Sequence, residues 1–516
     1  MFKKTLLLSL TASSLLATNG VNMIGTTAAS RAMGGTGVAY YTHAAAALHK
    51  NVSMMGDIGK SEFQFDMTYF SATVTSSVYD TMPLNANLAP LPNLPSYDSP
   101  TSAPSQNMLD TNFIPSMTYA TRISDTTVFG IAMIGAAGMA TQYEGEYAQR
   151  QMNSSMMLMK IIPALSYRQG NTTFGFAPVL GLGSMSLNYD ERYLDPKGTP
   201  YPYGTKPQSQ REGLFGTNVG SSELIPAFGF TAGMDVKVTE KLRVGLSYNS
   251  ALKYTYKEVA NFSQFGPNGM VYMADEWMYN NAGVGLSGDN STIASQLMAA
   301  GFKDVPGGQL AADAIQALAG SGTISDALSA TNPDNLDDLT LEQPWEIALG
   351  FAYDVSPDMS FTFDYRYIAW GLAEGYKDFG WDNQNVYAFG VEYHADALQL
   401  RAGYNYAPSP IATASEETGA LLTNVQGHLI FDQALSMLNM VGFPAISTTH
   451  FSGGIGYAMT DDVDLDFTVV YSPEATTSRE GSLSPLTTGF DALDMAYAYE
   501  TKMEQLTLSF GMNYRF

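Results

Sequence analysis

The chain ends on the stretch "EQLTLSFGMNYRF", in which Leu506, Leu508, Phe510, Met512, Tyr514 and Phe516 alternate with Gln505, Thr507, Ser509, Gly511, Asn513 and Arg515. A period of two puts one set on each face of a β-strand. The same alternation predicts about fourteen strands, an even number, as in bacterial single-chain barrels. They span 62–72, 113–123, 127–140, 155–168, 172–192, 223–238, 242–258, 343–355, 359–370, 386–395, 398–407, 448–459, 463–472 and 504–516.

The connections carry further information. Short ones ("ISDTT", "RQGN", "TEK", "SPD", "ADA", "TDD") alternate with long ones near 73–112, 141–154, 193–222, 259–342, 371–385, 408–447 and 473–503. Short periplasmic turns and long external loops are the pattern of a transmembrane antiparallel β-barrel in an outer membrane. A soluble sandwich gives no reason for loop length to alternate with every strand. Residues 291–320 place Ile293, Leu297, Met298, Leu310, Ala314, Ile315 and Leu318 at helical spacing, and 431–444 form another short amphipathic piece. Such helical pieces in external loops either receive an apolar ligand or pack together as a lid.

Parity then assigns the two faces. In "WEIALGFAYD" Trp345, Ile347, Leu349, Phe351 and Tyr353 face lipid, and Glu346, Ala348, Gly350, Ala352 and Asp354 face the lumen. The inward set continues with Thr362, Asp364, Arg366 and Ile368, then Glu392 and Arg401. A basic side chain at the lipid midplane costs roughly 2–4 kcal/mol, so the charges belong inside. Glu346, Asp364, Arg366, Glu392 and Arg401 form a lumen charge network that either braces the barrel or handles substrate.

The early strands are apolar on both faces. The predicted inward residues are Val128, Gly130, Ala132, Ile134, Ala136 and Gly138 in one strand, and Met156, Leu158, Lys160, Ile162, Ala164 and Ser166 in the next. Such a lumen wall suits an apolar ligand better than water. Lys160, Met156, Leu158, Ile162 and Ile134 are therefore the ligand-binding candidates. Lys160 is placed to meet a carboxylate head group or to make a bracing ion pair with a plug. Gly130, Gly135 and Gly138 are candidates for a bulge or kink, or for tight packing against a plug.

Composition narrows the class. Only 14% of the 516 residues are charged, against about 25% in ordinary soluble proteins. Gly (48), Tyr (31) and Phe (26) are abundant, yet mean hydropathy is only -0.06. That combination fits a barrel whose apolar residues are interleaved with polar ones. The net charge of -24 excludes the basic footprint of a nucleic-acid binder and suits acidic external loops. Cysteine is absent, which removes disulfides and thiolate metal sites. The five histidines, His43, His49 and His450 among them, show no zinc spacing and no Ser-His-Asp arrangement. The reading is a non-enzyme with no cofactor and no metal.

At the N-terminus, "MFKK" followed by "TLLLSLTASSLLA" and small residues reads as a cleaved signal peptide over 1–20. The domain plan is then 1–20 leader, 21–60 N-terminal segment outside the wall, and 61–516 barrel.

The segment "TTAASRAMGGTGVAYYTHAAAALHKNVSMMG" and the later "DYRYIAWG" and "NVYAFGVEYHADALQLRAGYNYAPSPI" resemble the FadL family of long-chain fatty-acid and aromatic-hydrocarbon (toluene) outer-membrane transporters. The resemblance implies a fourteen-stranded barrel with the N-terminal segment as a hatch inside the lumen. It carries over Arg31, Gly34, Gly35, Gly37 and Asn51 as hatch residues. One departure is that the family's Asn-Pro-Ala is here Asn51, Val52 and Ser53, which removes a φ-fixing proline. The resemblance also implies an external groove, an inner pocket and lateral exit through a kinked third strand. Passive transport of hydrophobic compounds, long-chain fatty acids first and hydrocarbons next, is the expected function. The alternative is a FadL-like barrel acting as a protein-interaction or secretion component. Expected surroundings are outer-membrane lipid and lipopolysaccharide, with Phe516 as a signal to the outer-membrane assembly machinery.

Overall fold

Strands that are apolar on one face and polar on the other lose their exposed edges only when the sheet closes on itself. The computed structural model describes residues 19–81, 105–106, 111–142, 153–190, 216–218, 221–304, 308–331, 337–411, 422–482 and 496–516. Most of the expected leader lies outside the described residues. Fourteen long strands form the wall: β1 (Glu62–Thr81), β2 (Thr111–Arg122), β3 (Thr127–Gln142), β4 (Asn153–Gln169), β5 (Thr172–Asp190), β6 (Ser221–Lys237), β7 (Leu242–Asn249), β8 (Glu346–Ser356), β9 (Met359–Ile368), β10 (Gln384–Ala395), β11 (Leu398–Tyr406), β12 (Thr449–Ala458), β13 (Val463–Ser482) and β14 (Ala496–Arg515). Each pairs antiparallel with its neighbour in sequence. The ring closes where β14 meets β1, from Glu62↔Arg515 to Thr81↔Ala496. Phe516 donates its backbone N–H to the Ser61 carbonyl (3.0 Å), so the last residue is held at the seam.

The lipid face follows the predicted parity. Ile347, Leu349, Phe351 and Tyr353 are exposed, while Ala348, Gly350 and Ala352 are buried. Phe351, Phe363 and Phe389 touch across three adjacent strands, the first pair stacked (centroids 6.4 Å apart) and the second tilted (4.9 Å). Trp345 continues the outer aromatic surface between Tyr248 (6.4 Å) and Tyr367 (5.5 Å).

The predicted 242–258 strand is corrected. The chain leaves the wall after Asn249, and Leu252–Ala260 pairs instead with Asp337–Gln343 in a separate two-stranded ladder. Leu252, Tyr254 and Tyr256 are buried, so this segment keeps a period of two for a different partner. The long loop beyond it holds helices at Pro267–Ala282, Ile293–Ala299, Gly308–Ala319 and Ile324–Ala330. These share an apolar core of their own that includes Val271, Ile293, Leu297, Ala312 and Ile324. The predicted helical stripe thus packs on itself. The piece at Asp432–Met437 continues into a wide turn at Leu438–Gly442, whose Gly442 carbonyl accepts from Thr141 and Ser154 of the wall.

An arginine placed at Phe351 tests the parity. Phe351→Arg is expected to destabilise the barrel by about 2–4 kcal/mol if the site lies near the midplane, measured by denaturant unfolding in lipid. Phe351→Leu should stay within about 1.5 kcal/mol.

Candidate functional site

The N-terminal segment lies within the ring and consists mainly of irregular backbone. At membrane depth such backbone needs protein partners for its polar groups. A short helix, Ala28–Ala32, starts from a Thr27/Ser30 capping box, and its Ala28 N–H donates to Asp66 Oδ1 (2.8 Å). Arg31 donates to Thr68 and to Ser509 Oγ (3.2 Å). Gly34 and Gly35 adopt φ +67° and +80°, and a Cβ on Gly35 would overlap the Ile24 carbonyl. Gly37 and Val38 donate their amides to Asp364 Oδ2 (2.8 and 3.0 Å). A Cβ on the wall residue Gly403 would collide with Gly34 N, so the wall is stripped to backbone where the segment docks.

Asn51 is buried and caps the 3₁₀ turn Val52–Asp57 by accepting from Ser53 N (3.1 Å), while its amide donates to the Val38 carbonyl (2.7 Å). Val52 stands at the first position of that turn, where proline is tolerated but not required. Ser53 Oγ adds a second bond to Asn51 (2.8 Å), so the Asn-Val-Ser sequence still forms a capped turn.

The five lumen charges divide into two groups. Arg366 Nη1 lies 3.7 Å from Glu346 Oε2, with Asp364 next to it on the amide pair described above. Arg401 bonds to both Glu392 and Asp466, Asp466 reaches His43 (2.9 Å), and Glu392 accepts from Tyr40 (2.6 Å). Glu62 accepts from Tyr41 (2.8 Å) and Ala44 N (3.1 Å). Glu62, Asp66 and Asp466 escaped sequence reading, although inward parity on β1 and β13 carried the signal. Near the short-turn rim, Asp57 is gripped by Arg168 and Arg243, and Lys237 lies 3.7 Å away. Burial opposes its charge, yet the Arg243 hydrogen bond and the surrounding cations hold its carboxyl below the usual carboxylate range.

The apolar wall has a narrower role than expected. Much of it packs on the N-terminal segment: Gly130 leaves room for Met55 and Leu48, and Ile134, Leu158 and Ile162 join Leu48, Val52 and Met55 in one core. Small spaces remain among the described residues. One, about 30 Å³, lies among Met156, Met185, Leu339, Leu341, Tyr376, Phe379, Trp381 and Phe443. Its polar neighbour Asn439 is occupied, accepting from Trp381 Nε1 (2.9 Å) and donating to the Phe379 carbonyl (2.7 Å). Trp370, Tyr376 and Trp381 touch each other at 4.7–5.1 Å between centroids. The second, about 10 Å³, is lined by Lys160, His49, Ile162, Thr231, Asn249 and Leu252. Met156 and Lys160 line different spaces.

The third strand carries an irregularity. Its register on β4 shifts between Gly135↔Met159 and Ala137↔Leu158, leaving Ala136 as the inserted residue. Beyond it the parity inverts. Ala137 and Met139 take the inward positions assigned from sequence to Ala136 and Gly138, because one extra residue turns every later side chain over. Among the described residues the β2–β3 ladder ends at Ser116↔Ile134. Past that point the N-terminal segment takes the edge of β3: Met23 N donates to Ala136 O (3.4 Å), and Gly138 N donates to Val21 O (3.1 Å).

Residues 7–419 match a family described as outer membrane protein transport protein (OMPP1/FadL/TodX). The fold is similar to the Ralstonia pickettii toluene transporter TbuX, with a TM-score of 0.53, 14% identity, and 95% of this chain and 98% of that one covered. It is also similar to a Pseudomonas aeruginosa FadL homologue (0.55, 14%, 98% and 100%) and to the Pseudomonas putida toluene transporter TodX (0.53, 15%, 97% and 100%). No curated protein matches the chain.

The Asp57 cluster has a defined pH signature. A depressed carboxyl contributes stability above its ordinary value of 3.8 and loses it as pH falls through the lower folded value. Protease resistance of the N-terminal segment is expected to stay level from neutral pH to near 4 and to drop below that. Asp57→Asn should lower it at neutral pH, by about 1–3 kcal/mol of local stability.

Proposed function

Because the chain belongs to the outer membrane protein transport family (OMPP1/FadL/TodX), we propose that it carries small hydrophobic compounds passively across the outer membrane, aromatic hydrocarbons ahead of long-chain fatty acids. The family and its structural neighbours are transport channels rather than enzymes. The observation that carries the preference is the space between Met156, Tyr376, Phe379, Trp381 and Phe443, whose lining contains no charged residue. Aromatic rings and thioethers offer edge-to-face and sulfur contacts to a flat ring. A carboxylate left there without a cation would stand uncompensated in an apolar site.

At about 30 Å³ the space holds about two waters. Cargo therefore enters as its walls yield, which is a population shift toward an open state that binds the cargo better. Movement of the N-terminal segment is part of that shift in this reading.

Exit is assigned to the wall beside Gly135–Gly138. The inserted Ala136, the end of the β2–β3 ladder and the two backbone bonds from residues 21–23 support a lateral route. Each CH₂ removed from water contributes about 0.8 kcal/mol, so an apolar cargo beside the bilayer gains little by crossing the periplasm from the lumen. Lys160 is the candidate for a carboxylate-bearing cargo, since among the described residues its ammonium has no ion-pair partner and borders the second space.

Equilibrium binding to the folded barrel tests the reading. Toluene should bind saturably, with Trp381→Ala weakening it by roughly tenfold or more. Lys160→Ala should weaken a long-chain fatty acid and leave a matched alkane nearly unchanged. Absence of binding by all three compounds would replace transport with a protein-interaction or secretion role.

A further inference from the structure

The strand that leaves the wall after Asn249 carries two tyrosines that an apolar partition does not need. Tyr254 and Tyr256 pair across their ladder with Leu341 and Leu339. Directly paired residues share a face, and those two leucines line the aromatic space. The tyrosines are 1% and 0% exposed. A Cβ on Gly181 would overlap the Tyr254 hydroxyl, and one on Gly183 would fall 2.9 Å from the Tyr256 hydroxyl, so glycines of β5 make room for the phenol tips. Among the described residues neither hydroxyl has a hydrogen-bond partner. Tyr376, in the lining itself, directs its hydroxyl among the described residues to the thioether of Met156 (3.5 Å), a weak acceptor.

Three O–H donors thus gather in an apolar region without a good acceptor. Phenylalanine would fill the same volume without the penalty of a buried unpaired hydroxyl. The wall pairing fixes where they are: Gly181 lies opposite Lys160 and Gly183 opposite Leu158. The Tyr254 and Tyr256 hydroxyls therefore lie against the wall at the level of Lys160 and Leu158, next along β4 from Met156 of the aromatic space.

We propose that Tyr254 and Tyr256, with Tyr376, read an acceptor oxygen on the cargo, so that the preferred class is an aromatic compound bearing a neutral carbonyl, ester or ether rather than a bare hydrocarbon. This rests on the transport reading and moves its preferred cargo from bare aromatic hydrocarbons to their oxygen-bearing analogues. Neutral phenols donate to such an oxygen without burying a charge, whereas a carboxylate needs a cation as well. A site built to donate discriminates against the analogue that lacks the acceptor, because its donors are then left unpaired.

The test is calorimetric titration of the folded barrel in lipid nanodiscs with acetophenone and ethylbenzene. The pair differs by the carbonyl, and comparing the same two ligands across variants cancels their different partitioning. Wild-type protein should bind both, and Tyr254→Phe/Tyr256→Phe should reduce the acetophenone-to-ethylbenzene affinity ratio by about tenfold, mainly through acetophenone. The single Tyr256→Phe should give part of that change. Ligand-free thermal unfolding of the variants should match or exceed wild type, since each loses an unpaired hydroxyl. An unchanged ratio with both ligands bound overturns the inference alone and leaves the transport reading standing. Failure of wild-type barrel to bind either compound, or toluene, overturns the transport reading and this inference with it.

Discussion

Irregular backbone inside a membrane barrel has to find hydrogen-bond partners in protein, and much of this structure follows from that constraint. The N-terminal segment brings amides at Ala28, Gly37, Val38 and Ala44 into the lumen, and the wall answers with Asp66, Asp364 and Glu62. Carboxylates so placed must themselves be compensated. Arg366 stands beside Asp364 and Glu346, and Arg401 between Glu392 and Asp466. The charge network is thus a consequence of holding non-repetitive chain in the lumen, which accounts for the attachment of its members to the segment as well as to each other.

The same constraint divides the lumen. Polar and charged contacts gather toward the short-turn rim, where Asp57, Tyr40 and His43 are fixed. Toward the long loops the inward residues are Met156, Met185 and the rings of Trp370, Tyr376 and Trp381. There most partners are apolar side chains, and the bare carbonyls that remain, such as Gly442 and Met440, are met by Thr141, Ser154 and Thr501. The grip on the segment is also uneven. Between Ala28 and Asp57 it is held by carboxylates on several strands, whereas residues 21–23 are held by two backbone bonds to β3, by Gln343, which donates to Asn22, and by Arg31 on the Met23 thioether.

Period-two patterning made the wall legible, down to the lipid-facing set on β8 and the seam at Phe516. It reads half-burial, however, and not the identity of the neighbour. Leu252, Tyr254 and Tyr256 alternate as a wall strand does, yet their partner is another lumen segment, so the predicted seventh strand ran past its true end. On β3 the glycines signalled an irregularity, but alternation cannot announce one inserted residue, and every side chain beyond Ala136 was placed on the wrong face. Met156 and Lys160 share a strand and a parity, roughly 13 Å apart at extended spacing. Sequence joined them in one site because the hairpin that separates them arrives from a hundred residues further along the chain, and nothing local foretells it.

That hairpin and the inserted Ala136 converge on one level of the barrel. Gly183 faces Tyr254 and Tyr256 and pairs with Leu158, which in turn pairs with Ala137, next to the bulge. A cargo large enough to part the tyrosines from the wall therefore presses at the height where β3 has lost its β2 partner and is held by Val21 and Met23. On the proposed route, opening the partition and freeing the wall edge are then not independent events. On that route the work of entering the lower space falls on a strand segment that, among the described residues, is laddered to β4 on one side and bonded to Val21 and Met23 on the other. On the proposed route such coupling needs no distant signal, since Leu158 alone lies between the tyrosine-facing Gly183 and Ala137 beside the bulge.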